Sequence, residues 1–290
     1  VQNAYQFVPW LFRAVALCAQ GVSTLPFQIL RGETVVDDSQ AWLNAVGFMP
    51  NPKRLLWLIE ASLQLAGRSY LFREKNRSGL QGLKYDSPLS IVPKIEPGGL
   101  VGFTRTTANG KKEMPADAYV YFWYPDALVE LGPPTTYPAK AALAAANVLF
   151  NLDEFVAKFI KRGLIKATVL TVPSGTTDNE KKLLKAWWDR MFTGMKNAWQ
   201  TFVLSGDVKP VQIGEGIENL ENNELTTTKR EDIAVALGVP QSLLFSNAAN
   251  FATAQQDELH WLTKKVVPDA EFIAGVLNEQ VFAPQGLTMR

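Results

Sequence analysis

The stretch Arg230-Glu-Asp-Ile-Ala-Val-Ala-Leu-Gly-Val-Pro-Gln-Ser-Leu-Leu-Phe245 decides how the rest of this chain is arranged. A polar helix runs into Ile233, Ala234 and Leu237, a spacing that sets all three on one helical face. Gly238 stands where a helix takes its left-handed C′ residue, and Pro240 forbids continuation beyond Val239. Leu243, Leu244 and Phe245 make a short apolar step, and Ser246-Asn-Ala-Ala-Asn250 follows as an uncharged loop. A longer helix is predicted from near Thr253 to Val267, with Leu259, Leu262 and Val266 on its apolar side. Pro268 should interrupt it by pushing Val267 out of α geometry. The pattern resumes through Phe272, Val276, Leu277 and Val281, and Pro284 ends it. From the residues alone this is a helical hairpin with an exposed loop.

Charge is informative locally rather than in total. The 290 residues carry 29 basic and 28 acidic side chains, net +1, so no global pull on nucleic acid is present. A tight duplex binder would be more basic, whereas a protein that lets DNA slide need not be. From Lys158 to Lys196 nine basic residues stand against three acidic, net +6; from Glu215 to Asp232 two basic stand against six acidic, net −4. Opposite signs on two such stretches would help fix register between adjacent copies. The 47% apolar content can bury a real core. A single cysteine, Cys18, excludes an internal disulfide framework and fits a reducing compartment. No run of 18 apolar residues exists, and no signal-peptide pattern opens the chain, which reads as starting mid-structure with a segment expected before it.

The N-terminal half reads as α+β. Val8 to Ala19 is an apolar helix with Pro9 in its first turn and Gly21 as its stop. Leu25–Leu30 and Glu33–Val36 flank Arg31-Gly32 as a β-hairpin. Asn51-Pro52 opens a strong helix with Leu55, Ile59, Leu63 and Ala66 at helical spacing, ended by Gly67. Ser69–Arg73 and Leu80–Leu83 bracket a second hairpin, and strands near Leu100–Thr106 and Ala118–Trp123 surround the turn signal Asn109-Gly110. After Pro133-Pro134 and Pro138, Ala139 to Arg162 is one long helical pattern. Its alanine-rich first half permits close helix approach, and Leu149, Leu152, Val156, Phe159 and Ile160 continue as an apolar stripe. Gly163 ends it.

Between Gly163 and Gly214 lies a β-α-β-β unit. Lys166–Pro173 reads as a strand, and Thr177 with Glu180 makes a capping box. The helix that follows carries Leu183, Leu184, Trp187, Trp188, Met191, Phe192 and Met195 on its buried side. Thr201–Leu204 and Val208–Ile213 form a hairpin. Trp187 and Trp188 are adjacent, so they point about 100° apart and cannot both enter one small core. One is expected inside the unit and the other against a neighbouring copy or partner.

The order of these parts resembles that of tailed-bacteriophage portal proteins of the siphophage head type. The likeness rests on Ile233-Ala234, Gly238-Val239-Pro240 and Leu243-Leu244, on the N-terminal helix with Leu25-Pro26-Phe27, and on Leu65-Ala66-Gly67-Arg68-Ser69-Tyr70. It implies a wing over 1–135, a stem helix over 136–163, a clip over 164–214 and a second stem helix over 215–240. It further implies a channel loop over 241–252 and a kinked helix returning to the wing over 253–290. Ser246, Asn247, Ala248, Ala249, Asn250 and Phe251 would then border the DNA channel. Gly238, Val239 and Pro240 would stop the stem helix. Lys181, Lys182, Lys185, Trp187 and Trp188 would contact a neighbouring subunit or terminase. The implied assembly is a homo-oligomer, a ring of twelve at one capsid vertex, passing double-stranded DNA. Its implied partners are the terminase large subunit, the head–tail connector, and capsid and scaffold proteins. The implied location is the virion, with the host cytoplasm during assembly, and no membrane. No C-terminal crown is seen up to Arg290. A non-viral α+β assembly or adaptor protein with a helical hairpin remains the alternative.

Enzyme chemistry has no foothold in the residues. One histidine, His260, and one cysteine give no thiolate–imidazole pair of recognisable spacing and no zinc cluster. Gly110-Lys111 fails as a phosphate loop, because Arg105 holds the first glycine position and Lys112 the hydroxyl position. Gly214-Glu-Gly216 has Asn219 where a third glycine is required. A non-enzyme without cofactor or metal is expected, and His260 is expected as a hydrogen-bonded interface residue.

Overall fold

The computed structural model describes residues 1–36, 41–42, 45–47, 51–76, 79–161, 167–171, 177–192, 209–213, 223–244 and 251–290. The chain divides into two compact units, Val1–Ala146 with Arg230–Arg290, and Asn147–Lys229. The fold is α+β.

The first unit opens with helices α1 (Gln2–Phe7) and α2 (Pro9–Thr24). Gly21 does not stop α2, which runs three residues further. A Cβ at Gly21 would stand 2.9 Å from Val266 Cγ2 and 3.0 Å from Trp261 Cη2, so the glycine marks a close helix approach. Strands β1 (Ile29–Arg31) and β2 (Thr34–Val35) form the expected hairpin, turning at Gly32 with φ 61°. Helix α3 (Pro52–Ala66) is built as its sequence predicts. Asn51 accepts from the Lys53 amide at its start, and Gly67 at φ 66° closes it.

Two antiparallel sheets follow. Strand β3 (Arg68–Asn76) lies between β4 (Gly79–Asp86) and β8 (Tyr119–Trp123). Strand β6 (Gly99–Thr107) lies between β5 (Ile91–Glu96) and β7 (Gly110–Pro115). Asn109-Gly110 therefore joins β6 to β7, a strand absent from the sequence reading because Gly110-Lys-Lys-Glu-Met-Pro115 is too polar to signal one. The sheet β4–β3–β8 has core on both faces. Leu71, Leu83, Val120 and Phe122 enter a large cluster with Trp42, Leu55, Ile59 and Leu63. Tyr70 and Tyr119 point the other way and join Ile91 and Phe103. Period-two alternation on a strand covered on both sides accounts for the aromatic run Tyr119–Trp123. Tyr70, Phe103 and Tyr119 meet edge to face. Asp86, buried beside them, accepts from Arg105 Nη2 at 2.7 Å and from Tyr119 Oη at 3.2 Å.

The lead-in to the alanine-rich helix is pinned by Asp126. Its carboxylate accepts from the Leu128 amide and from the Thr135 amide and hydroxyl, at 2.8–2.9 Å. Those donors, the Leu128 amide foremost, pull its pKa down to about 2. The predicted single helix over Ala139–Arg162 is broken once, into α4 (Pro138–Ala141) and α5 (Leu143–Lys161), with Ala142 as the joint; Arg162 lies outside the described residues.

In the second unit, β9 (Ala167–Thr171) pairs antiparallel with β10 (Lys209–Ile213) over five residues. Helix α6 (Asp178–Phe192) starts at the predicted capping box. Thr177 donates its amide and hydroxyl to Glu180 Oε2 at 2.8 and 2.7 Å, which lowers the Glu180 pKa. The predicted strand Thr201–Leu204 lies outside the described residues. The expected burial of the α6 apolar side is not found for Leu183, which is 65% exposed, and Leu184 is only half-buried.

Helix α7 (Asn223–Leu237) returns the chain to the first unit. It is followed by α8 (Gln241–Leu244), α9 (Phe251–Trp261), a π-helical turn Leu262–Val266 and α10 (Val267–Leu277). Val267 keeps α geometry at φ −64° and ψ −49°, against expectation. The widened π turn just before Pro268 removes the clash that a proline ring makes with the preceding turn of an α-helix. A second π turn, Asn278–Phe282, precedes Pro284, and β11 (Thr288–Met289) then adds to β1.

Candidate functional site

The helix stop is built as a two-bond Schellman cap. The Gly238 amide donates to the Val235 carbonyl at 3.1 Å, and the Val239 amide donates to the Ala234 carbonyl at 2.9 Å. Gly238 takes φ 67°, and Val239, Ala234, Ile233 and Leu237 are buried. A third bond comes from outside the helix: Cys18 Sγ on α2 donates to the Leu237 carbonyl at 3.7 Å. The alkyl stem of Lys265, on the π turn, lies 3.4 Å from where a Gly238 side chain would begin. Nearer its start, the same face of α7 sets the Arg230 guanidinium 4.6 Å over the Trp10 ring. The stop is therefore held by α2 on one side and by the π turn on the other.

Pro240 opens α8, whose Leu243 amide returns to the Pro240 carbonyl at 3.1 Å. Leu243 packs on the large core, as the apolar step requires. Ser242 then donates to Asp257 Oδ2 on α9 at 2.8 Å. That bond closes the base of the segment that holds the predicted loop. Ser246, Asn247, Ala248, Ala249 and Asn250 lie outside the described residues. Phe251 is the first residue of α9, two residues before the predicted start near Thr253. On the outer faces, Val235 is 78% and Leu259 63% exposed, and His260 is exposed.

Beneath the stop lies a buried polar cluster that the sequence reading missed. Glu60 and Gln64 are fully buried one turn apart on α3, and Gln64 Nε2 lies 2.6 Å from Glu60 Oε1. The same nitrogen reaches Tyr124 Oη at 3.1 Å and Asp269 Oδ2 at 3.3 Å, and Lys265 Nζ pairs with Asp269 Oδ2 at 2.9 Å. Burial first, then the charge of Asp269, push the Glu60 carboxyl up to about 8. Burial pushes the Cys18 thiol up to about 12 and raises the Tyr124 hydroxyl. Burial works hardest against the Lys265 ammonium, but the charge and hydrogen bond of Asp269, with Cys18 and Glu60, together carry its net shift upward. A signal was present: Glu60 and Gln64 occupy an i,i+4 pair beside the stripe of Leu55, Ile59 and Leu63.

On α6, Lys181, Lys182 and Lys185 are exposed, Lys181 bridging to Asp178 at 3.1 Å within the helix. Trp187 is 37% exposed, and the Trp188 side chain lies outside what is described. Among the described residues no group of three or more His, Cys, Asp or Glu could hold a metal ion, and no helix is long and apolar enough to cross a membrane.

Comparison with known proteins agrees with this architecture. Residues 9–290 match the family model described as phage portal protein. An HK97-family phage portal protein from Corynebacterium diphtheriae superposes with a TM-score of 0.67 at 18% identity, covering 100% of this chain and 93% of that one. A chain from the neck of an empty gene transfer agent particle gives a TM-score of 0.68 at 17% identity, covering 100% and 82%. In sequence, an uncharacterized protein of Rickettsia bellii is 22% identical over 94% of this chain and 74% of its own length. With a family match running from α2 to the final strand, the chain belongs to the phage portal protein family.

Proposed function

We propose that copies of this chain close into a ring, twelve to a turn, at one vertex of a phage-like head, and that double-stranded DNA passes through the bore. The observation that carries this is the distribution of uncovered apolar side chains. Val148 and Phe155 on α5, Leu183 and Trp187 on α6, Leu225 and Val235 on α7 and Leu259 on α9 are all exposed in a single chain. Neighbouring copies in a ring would cover these groups. A ring is further supported by a similar chain in the neck of a native gene transfer agent particle computed with C12 symmetry. Membership of the portal family sets aside the non-viral adaptor alternative.

In this reading residues 136–163 and 215–240 are the stem, 164–214 the clip, and 246–250 the loop facing DNA. The opposite charges of Lys158–Lys196 and Glu215–Asp232 help set register between copies. Trp187, Lys181, Lys182 and Lys185 face a neighbouring clip or the terminase large subunit. The head–tail connector, capsid and scaffold proteins are the remaining partners, and assembly takes place in the host cytoplasm. Trp187→Ala should weaken the ring or its docking to the motor by about 2 kcal/mol per contact while the monomer stays folded. Analytical ultracentrifugation with circular dichroism separates the two effects. An unchanged ring and unchanged motor binding would remove Trp187 from the interface.

The loop gives the functional test. A segment of Ser, Asn and Ala offers moving DNA no cation to hold its phosphates. Introducing Asn247→Lys and Asn250→Lys adds two phosphate contacts per copy, and binding through such contacts weakens steeply with salt. Packaging in the double variant should slow several-fold at low salt and recover as salt rises, with assembly unaffected. Packaging at the wild-type rate at every salt concentration would mean that the loop faces away from DNA.

A further inference from the structure

The buried cluster contains two carboxyls, Glu60 and Asp269, and one ammonium, Lys265. Gln64 Nε2 lies between the carboxyls, and Glu60 Oε2 is buried with no hydrogen-bond partner. Gln64 Nε2 faces three acceptors with two hydrogens to give, so it cannot satisfy the site alone. If both carboxyls were ionised, one negative charge would lie unpaired in the core, which proteins avoid by neutralising the group. A proton on Glu60 leaves Asp269 paired with Lys265 and the cluster neutral.

The position of this cluster gives it a consequence for the helix stop. Lys265 sits on the π turn after α9, and its stem flanks Gly238 at the end of α7. Cys18, which faces Glu60 and Lys265, holds the Leu237 carbonyl. Asp269 lies on α10. The end of α7 and the π turn that follows α9 thus rest on the same group of side chains. We infer that Glu60 carries a buried proton at neutral pH, and that this proton seats the end of α7 and the π turn on the core.

The pH dependence follows from the groups that face Glu60: Asp269 and Lys265 from the C-terminal helix, Gln64 from its own helix, Cys18 from α2, and Tyr124 after β8. The shifts of Cys18 and Tyr124 keep both neutral up to pH 9. Glu60, at about 8 in the folded chain against 4.5 for its ordinary value, titrates inside that range. A carboxyl raised by folding contributes fully below its ordinary value, and the contribution is lost as pH rises through the folded value. Its contribution is therefore complete below pH 4.5, falls up to about pH 8 and is level beyond.

The test compares wild type with Glu60→Gln, which keeps shape and hydrogen bonding but cannot ionise. Thermal melting is followed from pH 5 to 9, with amide hydrogen exchange over 233–240 and 262–270. The wild-type Tm should fall by several degrees across this range relative to the variant, whose curve should lie above wild type at pH 9. Exchange in both segments should quicken in wild type between pH 7 and 9, beyond the intrinsic rise, and not in Glu60→Gln. Infrared spectroscopy of the wild type alone should show a protonated-carboxyl band at pH 7 that is lost above pH 9. Parallel melting curves in the two proteins would overturn the inference. So would the absence of that band at pH 7, even if the variant failed to fold.

Discussion

Gly67→Ala should lower the unfolding free energy by about 3 kcal/mol, read as a shifted midpoint in urea at unchanged slope. Gly67 ends α3 at φ 66°, where its amide returns to the Leu63 carbonyl and its carbonyl accepts from the Tyr124 amide. An L-residue in that left-handed geometry costs about 1–2 kcal/mol. A Cβ there would also stand 2.4 Å from Pro134 Cγ and 3.0 Å from Tyr137 Cβ, so the rigid Pro133-Pro134 lead-in has to move. Overpacking of this kind adds about 1–3 kcal/mol. Gly286→Ala is the matched control: φ is 68°, but nothing lies within 4 Å of the new methyl. It should show the backbone cost alone, about 1 kcal/mol. Equal losses at the two positions would show that Pro134 does not press on Gly67.

Lys265→Met should be comparably damaging for an electrostatic reason. Methionine keeps most of the stem that flanks Gly238, so the change reports mainly on the ammonium. Lys265 and Asp269 are 21% and 13% exposed, and their ion pair is 2.9 Å long. Removing one partner of a largely buried pair leaves the other uncompensated, at a cost of about 3–5 kcal/mol. Asp269 would then face the buried Glu60 with no cation beside it. Adding Asp269→Asn should restore more than half of the loss, since the orphaned charge is gone. A double variant no better than Lys265→Met would place the defect in packing instead.

Features fixed by neighbouring residues were legible in the sequence. Asn51-Pro52 and Gly67 bound α3, Thr177 with Glu180 starts α6, and Gly238 followed by Pro240 ends α7, each through local backbone geometry. Features fixed by tertiary contact were not legible. Gly21 reads as a helix stop, yet it is small because Val266 and Trp261 press on it from 245 and 240 residues away. Pro268 reads as a break, yet the packed neighbours favour a π turn that keeps the helix continuous. Strand β11 is two residues long, and only its pairing to Ile29 and Leu30 defines it. The Glu60 cluster was hidden because its members come from residues 18, 60, 64, 124, 265 and 269. The stop Gly238-Val239-Pro240 was thus readable, while Cys18, Lys265 and Asp257, which hold it and the base of its loop, were not. The proposed channel role of Ser246–Asn250 rests on family resemblance and on their uncharged composition.

This portal-family chain is expected to work as a ring. Cryo-electron microscopy of the purified protein at high concentration tests it most directly. Helices about 10 Å wide, set twelve to a circle, give a circumference of roughly 120 Å and a bore of about 28 Å, wide enough for a duplex. Closed rings of that order are expected, with α5 and α7 around the bore, residues 246–250 at its narrowest point, and Leu183, Val235 and Leu259 covered by neighbouring copies. Particles that remain monomeric at every concentration, with those side chains still in solvent, would contradict it.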